Sequence, residues 1–354
     1  MTIVAVVASF ALAALLSSCK EESTTPAPDS WAALDNPYGI AVNPYNGDLI
    51  ITTDGNYTAP GDCYVFNRDY RLRISGITLG ALPSNAAALD NDHILVLNEG
   101  MWGGNNAEIS LVDVAANSAV GNWFSANNGR GLGDVAQDII AYGSNTYASV
   151  TFSNSIEIIS NASGQSTHLS TTATAQKPRN IAAYDGNIYV TCYTPACVVR
   201  IDTATQSITG SCPLGVFNPE GICALNGKLY VCSSNISDES YNYSYDNKLY
   251  VVDINTFTLT DSITVGSNPN IVKAIDDNHL AVACWGDYAS NPAGTFLVDV
   301  DAKSAKALGI ALNKFDTYRG KIYGFTSYLS GTAKFYEIDP LTDTHTEIIP
   351  RDSI

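Results

Sequence analysis

The residues able to transfer protons or hold a metal are few and widely spaced in this chain of 354 residues. It has four histidines, far apart in sequence, and no Gly-x-Ser-x-Gly, His-Glu-x-x-His or phosphate-cradling loop. Acids in candidate positions are Asp54, Glu99, Glu220 and Asp287, whose spacing is not distinctive and leaves a carboxylate pair or a Ca²⁺ site open. The residues therefore predict a protein that binds rather than an enzyme, with no catalytic residue, metal site or catalytic cofactor.

Aromatic residues with amide neighbours are concentrated in four polar stretches, at 54–62, 98–107, 233–247 and 285–294, and all but the third of these contain glycine. Flat apolar rings beside amide donors and acceptors suit a large organic ligand with a polar edge. The predicted binding residues in these stretches are Tyr57, Trp102, Asn105, Asn106, Tyr241, Tyr243, Tyr245, Trp285 and Tyr288. The alternative is that the rings fold onto their own loops as small local cores.

The cysteine count indicates little metal chemistry. Of eight cysteines, Cys192 and Cys197 form the best local pair, in Cys-Tyr-Thr-Pro-Ala-Cys, where a strand turns back on itself. The spacing is not that of a zinc site, and no histidine is near. The pair is a candidate for a cross-hairpin disulfide in an oxidising compartment.

These stretches must be positioned by the elements around them, and those elements recur. Seven segments open alike, three of them on Asn-Pro at 36–37, 218–219 and 268–269, and each leads into a short apolar strand. A tight turn such as Asp185-Gly186 or Asn226-Gly227 follows, and then a second β-rich run. A third strand ends in an aliphatic residue and an aspartate, and a fourth, alternating strand completes the unit.

Four short strands repeated at intervals of about 40 to 50 residues are typical of a propeller blade. The sequence predicts an all-β fold, a seven-bladed β-propeller with four-stranded antiparallel blades, over residues 33–354. A two-sheet sandwich also contains many short strands, but it does not require the same opening motif seven times. The recurring aspartate, as at Asp113 or Asp202, is predicted to satisfy turn backbone donors rather than to catalyse.

In a propeller, the connections into the first strands and those between second and third strands share one face, where ligands usually bind. All four aromatic stretches are connections of the second kind, with Trp102 and Trp285 expected at equivalent tips, so we predict that they form one binding surface. The connections into first strands add four predicted binding residues near the axial mouth, Tyr38, Arg130, Arg179 and Phe315. Amides one step further in, Asn85, Gln137 and Asn180, either contact the ligand or organise water.

The N-terminus predicts the compartment. Residues 2–16 are almost wholly apolar and end in Leu16-Ser17-Ser18-Cys19, a stretch too short to span a bilayer comfortably and typical of a lipoprotein signal peptide. We therefore expect residues 1–18 to be removed and Cys19 to be lipidated. Residues 19–32 read as a flexible tether. A buried helix beginning at Met1 is the alternative.

The charge balance argues against two classes of partner. The formal net charge is −17, from 18 Lys+Arg against 35 Asp+Glu. Such a surface repels phosphate backbones and anionic headgroups, which excludes nucleic acid and direct membrane-surface binding as expectations. The predicted contact with the membrane is the N-terminal lipid alone.

The repeats resemble those of YncE-type propellers: Asn-Pro openings, a second strand Leu-Tyr-Val at 229–231 and a third strand Val-Val-Asp-Ile-Asn-Thr at 251–256. The stretch Gly-Asp-Val-Ala-Gln-Asp at 133–138, with the lipobox and the Lys-Glu-Glu after Cys19, is similar to surface propeller lipoproteins of gut Bacteroidetes. One group of these is the BtuG type. The likeness covers nearly the whole mature chain.

The resemblance implies a lipid-anchored protein on the outer face of the outer membrane. It would bind cobalamin (vitamin B12) or a related corrinoid and deliver it to a TonB-dependent outer-membrane transporter of the BtuB type. A corrin is a broad disc with an apolar face and a rim of amides, which is compatible with aromatic tips beside asparagines. A glycan-binding surface lipoprotein and a protein-interaction scaffold are the alternatives.

Overall fold

Short stretches of β-branched and aromatic residues form the strands, and glycine, asparagine and aspartate turn the chain between them. The computed structural model describes residues 34, 36–57, 59–235, 244–326 and 333–348. Within them the chain forms seven four-stranded antiparallel sheets, each from four consecutive strands. The predicted seven-bladed β-propeller is confirmed. The predicted signal peptide 1–18 and tether 19–32, including Cys19, lie outside the described residues.

Each blade is a simple meander, whose strand order in the sheet equals the order in the chain. Blades 1 to 3 contain β1 Pro37–Val42, β2 Leu49–Thr53, β3 Pro60–Phe66, β4 Leu72–Ala81, β5 Pro83–Ala88, β6 His93–Asn98, β7 Glu108–Asp113, β8 Ser118–Val120, β9 Ala136–Tyr142, β10 Asn145–Val150, β11 Ser155–Ser160 and β12 Ser166–Ser170. Blades 4 and 5 contain β13 Gln176–Tyr184, β14 Asn187–Thr194, β15 Cys197–Asp202, β16 Ser207–Pro213, β17 Phe217–Leu225, β18 Lys228–Asn235, β19 Lys248–Asp253 and β20 Thr258–Thr264. Blades 6 and 7 contain β21 Pro269–Ala274, β22 His279–Cys284, β23 Gly294–Asp299, β24 Ser304–Ala307, β25 Leu312–Tyr318, β26 Lys321–Thr326, β27 Phe335–Asp339 and β28 Thr344–Glu347.

The recurring opening motif is a turn into the first strand of a blade. Asn36, Asn218 and Asn268 have φ of 47°, 48° and 60°, a left-handed conformation that asparagine tolerates better than most residues. Each is followed by a proline with its fixed negative φ: Pro37 and Pro269 begin β1 and β21, and Pro219 is the third residue of β17. Within the next residues the register of every first strand shifts, as in a β-bulge. A bulge re-aims side chains, and four of the seven first strands, β5, β9, β13 and β25, carry two consecutive polar residues at this end.

The aspartate that ends the third strands has the structural role predicted for it. The Oδ1 atoms of Asp113 and Asp202 accept hydrogen bonds from the backbone N–H three residues later, at 2.8 and 2.7 Å. The same bond occurs at Asp253, Asp299 and Asp339. These carboxylates are therefore occupied in turns on the face opposite the predicted site.

The hydrophobic core lies between neighbouring blades, where first-strand and second-strand residues of one sheet pack on the next. Blade 7 closes the ring on blade 1 in the same way, with Phe325 and Phe335 packed against Ile51 and Phe66. The Val42 N–H also donates to Asp316 Oδ2 at 2.9 Å across this seam. Within the described residues no strand is exchanged between the two blades, and the ring is closed there by side-chain packing and by single hydrogen bonds of this kind.

One element departs from the repeat. A short helix, α1 Trp123–Asn128, follows β8 and buries Phe124 against the blade 2 and blade 3 core. The sequence pattern did not predict it, because six residues are too few to show a helical period. No helix among the described residues is long and apolar enough to cross a membrane.

Candidate ligand-binding site

One face of the ring collects the connections that vary most between blades, and we call it the upper face. It carries the turns into the first strands and the connections between second and third strands, including 99–107 after β6 and 285–293 after β22. The rigid meander below fixes where each connection starts and ends. The sequence is thus free to place unlike side chains at equivalent points of the seven blades.

Exposed apolar side chains are concentrated on this upper face. Ten large hydrophobic residues are exposed among the described residues, and six of them lie on the upper face. The six are Tyr57, Met101, Trp102, Phe152, Phe217 and Tyr288. Trp102 and Tyr288 are the most open, with 79% and 75% of their surface accessible. An apolar set of this kind around one opening marks an interaction site rather than random surface composition.

Most of these rings are held in pairs. Tyr57 meets Tyr38 edge-on at 5.9 Å, and Tyr288 meets Tyr245 edge-on at 5.8 Å between ring centroids. Trp102 lies 6.3 Å from Phe152 of the next blade, at an interplanar angle of 53°. We call these six residues the aromatic rim. The pairing orients the rings, as the local-core alternative requires, but it leaves Tyr57, Trp102 and Tyr288 open to solvent.

The tip that carries Trp102 is built by its own backbone and by Asn106. Asn106 Oδ1 accepts from the Met101 N–H at 2.8 Å, and Gly103, with φ of 72°, donates to Asp134 Oδ1 at 3.0 Å. Asn105 is exposed, in the left-handed conformation. Asn106 thus shapes the tip, and Asn105 is the amide that the tip presents to solvent.

Trp285 occupies a different position from Trp102, although the sequence suggested equivalent tips. Trp285 directly follows β22, and its backbone N–H donates to the Asn268 carbonyl at 2.9 Å. The same bond joins Glu99 to Leu82 in blade 2, so Glu99 is the structural equivalent of Trp285. The expectation of equivalent tips is wrong, because Trp102 lies further along its connection. Trp285 is partly buried and lines the axial cavity, and its buried indole Nε1 has no hydrogen-bond partner among the residues that the structure describes.

The axial cavity has a volume of about 320 Å³ and is lined by the first strands of all seven blades. Ile40, Ile139, Ile181 and Ile222 give it apolar walls. The polar and charged lining residues are Asn85, Gln137, Asp138, Arg179, Asn180, Glu220, Asn270, Lys273, Lys314 and Asp316. The cavity therefore combines apolar walls with a small number of convergent polar groups.

Arg179 is the centre of the largest network at the mouth. Its Nε and Nη2 donate to Glu220 Oε2 at 3.2 and 3.1 Å, and its Nη1 donates to Gln137 Oε1 at 2.6 Å. The Tyr193 hydroxyl donates to Glu220 Oε1, and the guanidinium lies over the Tyr193 ring at 4.9 Å. Burial opposes the charge, but Glu220 raises the pKa of Arg179, so this cation is firmly held in place.

Tyr38 connects the aromatic rim to the cavity. Its hydroxyl donates to Glu99 Oε2 at 2.8 Å, and burial, followed by Glu99, raises its pKa. The Lys314 ammonium lies 4.5 Å above the Tyr38 ring. Burial lowers the pKa of Lys314, with Glu99 and Asp138 opposing this shift and Arg179 adding to it.

Deeper in the cavity, the carboxylates accept hydrogen bonds from backbone N–H groups and a side-chain amide. Asp138 accepts from the Ile181 N–H at 2.8 Å and from Asn85 Nδ2 at 2.7 Å. The predicted inner amide Asn85 therefore fixes a buried carboxylate. Lys273 lies 3.7 Å from Asp316, and that carboxylate raises the pKa of Lys273.

Four predicted site residues fall outside this arrangement. Arg130 makes a bidentate ion pair with the fully buried Glu157 of β11, at 3.1 and 2.5 Å, so it lies two strands out from the axis rather than at the mouth. Phe315 is 3% exposed and packs in the core between blades 6 and 7, at the edge of the cavity. Tyr241 and Tyr243 lie outside the described residues.

The predicted cysteine pair is adjacent but reduced. Cys192 and Cys197 are opposite each other in the β14–β15 ladder, and all seven described cysteines are free thiols. A hydrogen bond between the two side chains lowers the pKa of Cys197 and raises that of Cys192. No group of three or more histidine, cysteine or acidic residues arranged to hold a metal occurs in the described parts of the chain.

Comparison with known proteins identifies the fold. No family model matches the chain, and no curated protein matches it. Among solved structures, Kuenenia stuttgartiensis hydrazine synthase is similar with a TM-score of 0.65 and 12% identity, over 89% of this chain and 96% of that chain. Virginiamycin B lyase from Staphylococcus aureus is similar with a TM-score of 0.58 and 14% identity, over 81% and 90%. The protein is a seven-bladed β-propeller.

A third similar structure is the dihydro-heme d1 dehydrogenase NirN in complex with DHE, with a TM-score of 0.58 and 11% identity, over 90% of this chain and 67% of that chain. At such identities the likeness shows the shared fold alone.

Several residues of the upper face and the cavity were not predicted from the sequence. Met101, Phe152 and Phe217 complete the exposed set, Lys273 and Lys314 line the cavity, and Tyr193 contacts Arg179 and Glu220 at its mouth. A usable signal existed for the lysines: only 18 basic residues occur in the chain, and these two fall in first strands, which line the axis.

Proposed function

We propose that this propeller binds a large, polar-edged organic ligand on its upper face, and that the ligand is a corrinoid such as cobalamin. The observation that carries the proposal is the aromatic rim, whose paired rings come from blades 1, 2, 3, 5 and 6 and include four exposed side chains on one face. Stacking of a flat macrocycle on such rings buries apolar area, while Asn105 and neighbouring backbone groups meet a rim of amides.

The cellular part of the proposal rests on the sequence. The lipobox ending at Cys19 and the following Lys-Glu-Glu support a lipid-anchored protein exposed at the cell surface. The resemblance to BtuG-type lipoproteins supports delivery of the corrinoid to a TonB-dependent transporter. The ligand contacts proposed for the upper face do not depend on this delivery step.

The test is co-elution of cyanocobalamin with the protein in gel filtration, followed through the corrin absorbance band. We expect the wild type to retain the corrinoid and a Trp102→Ala/Tyr288→Ala double variant to lose it. Leu341→Ala is the matched control, because Leu341 is also exposed but lies in the β27–β28 turn on the opposite face. Retention by the double variant, or release by the wild type, would overturn the proposal.

A glycan is the second candidate for the same rim, since exposed aromatic rings also stack on sugar rings. Oligosaccharides that displace the corrinoid, or that alone shift the melting temperature of the wild type and not of the double variant, would favour this reading. In that outcome the rim stays the binding site and the corrinoid is replaced as its ligand.

A further inference from the structure

We propose that the axial cavity is a second binding site, which takes a small organic carboxylate through Lys314 and Trp285. The site lies inside the ring, below the aromatic rim, and it does not require the corrinoid. Its volume of about 320 Å³ leaves room for a compact acid.

The acceptors of the cavity are already used. Glu220 accepts from Arg179 and Tyr193, and Asp316 accepts from the Val42 N–H at 2.9 Å and pairs with Lys273. Asp138 accepts from the N–H groups of Ile181 and Ile139 and from Asn85. These carboxylates are structural: each joins neighbouring strands or blades, and none has an obvious need for a cationic ligand.

Donors, in contrast, are in excess. Within the described residues, no carboxylate lies within 4.0 Å of the Lys314 ammonium, whose one described contact is the face of Tyr38. Trp285, in the neighbouring blade, has a buried indole N–H that finds no partner in the described part of the chain. A buried N–H left unbonded keeps its full desolvation penalty, so a ligand that supplies an acceptor is favoured.

The excess of donors selects the charge of the ligand. A carboxylate gives the ammonium a counter-ion and gives the indole N–H an acceptor, in charge-assisted hydrogen bonds that are stronger than neutral ones. A cationic ligand would meet Lys314, Lys273 and Arg179, and a neutral carbonyl would leave the ammonium without a counter-ion. The isoleucine walls favour an acid with a short apolar body over inorganic anions.

The experiment is titration calorimetry of the full chain, without corrinoid, against benzoate, hexanoate and succinate, and against benzamide as the neutral counterpart of benzoate. We expect one of the three acids to bind at one site per chain, and benzamide to bind at least about tenfold more weakly than benzoate if benzoate is that acid. Lys314→Met keeps the apolar stem and removes the charge, and should weaken binding about tenfold or more. Trp285→Phe keeps a ring and removes the N–H, and should weaken binding about three- to tenfold.

Lys306→Met is the matched control, since Lys306 is an exposed lysine of an outer strand paired with Asp343, and it should bind like the wild type. If Lys314→Met does not fold, Trp285→Phe still decides. The proposal is overturned if no acid binds more tightly than about 10 mM, or if both cavity variants bind like the wild type. Trp102→Ala should leave carboxylate binding unchanged, which separates a failure here from a failure of the corrinoid proposal.

Discussion

Trp102 and Trp285 belong to the same kind of connection, yet they lie in two chemically different regions. Trp102 is at the tip of its connection, open to solvent and touching one ring of the next blade. Trp285 is at the base, partly buried, beside an axial cavity lined by three cations, of which Arg179 and Lys273 are paired with carboxylates. Distance from the end of the second strand separates the two, because the first residue after that strand is held against the turn of its own blade.

The difference indicates that the tips and the starts of these connections suit different kinds of ligand. Tips extend away from the rigid blades, so their side chains change without cost to packing and suit a large ligand that lies on the ring. Residues at the start of a connection point into a space enclosed by seven strands. Polar groups there are desolvated, and each must find a hydrogen-bond partner. A rim ligand and a cavity ligand would therefore be selected by different physical effects, stacking in the first case and charge in the second.

The largest expected effect is on the free energy of unfolding, which should differ between a core residue of a blade and a residue at the tip of a connection. Tyr230→Ala removes a ring that is 2% exposed in the core of blade 5 and should lower the free energy of unfolding by about 3–5 kcal/mol. Trp102→Ala should change it by less than about 0.5 kcal/mol. Chemical denaturation of both variants measures the contrast. Comparable losses in the two would mean that the Trp102 tip is part of the folded core.

The next effect is on corrinoid affinity, which should depend on the aromatic rim and not on the axial cavity. Trp102→Ala should weaken corrinoid binding by roughly 30- to 1000-fold, because truncating a central aromatic anchor costs about 2–4 kcal/mol. Trp285→Phe should leave corrinoid affinity within about threefold of the wild type, since it keeps the ring and removes an N–H that faces the cavity. Fluorescence or calorimetric titration with cyanocobalamin measures both. An equal loss in the two variants would merge rim and cavity into one site.

The smallest effect is the pH dependence of the connection 285–293, which carries Tyr288 of the aromatic rim. N–H groups of Asn291 and Ala289 hydrogen-bond to Asp287 and lower its pKa from 3.8 to about 2. The charged form is the one bonded in the folded loop, so this contribution is complete above pH 3.8 and is lost as the pH falls through about 2. An NMR titration should give that midpoint in the wild type. It should move towards 3.8 in Asn291→Ala, where the side-chain donor from Nδ2 is removed.

The sequence by itself determined the features that repeat. Seven opening motifs, second strands such as 229–231 and the turn aspartates are local patterns, and each blade satisfies the same backbone needs with the same residues. It also located the exposed aromatic tips, because a glycine-rich connection that carries Trp102 has no strand to bury it. Asp-Gly and Asn-Gly turns at 185–186 and 226–227 have the positive φ values that such pairs predict.

Only the tertiary structure decided what meets at the axis. Lys314, Asp138 and Trp285 are separated by up to 176 residues (314 − 138), and nothing local indicates that they share one cavity. Sequence position alone also gave the wrong location for Arg130. Its place before a first strand predicted the axial mouth, but after the inserted helix α1 it pairs with Glu157 on the flank of blade 3. Ring closure brings seven distant strands together around one space. Which charges pair there, and which donors are left over, follows from that closure and from bulges that aim each side chain.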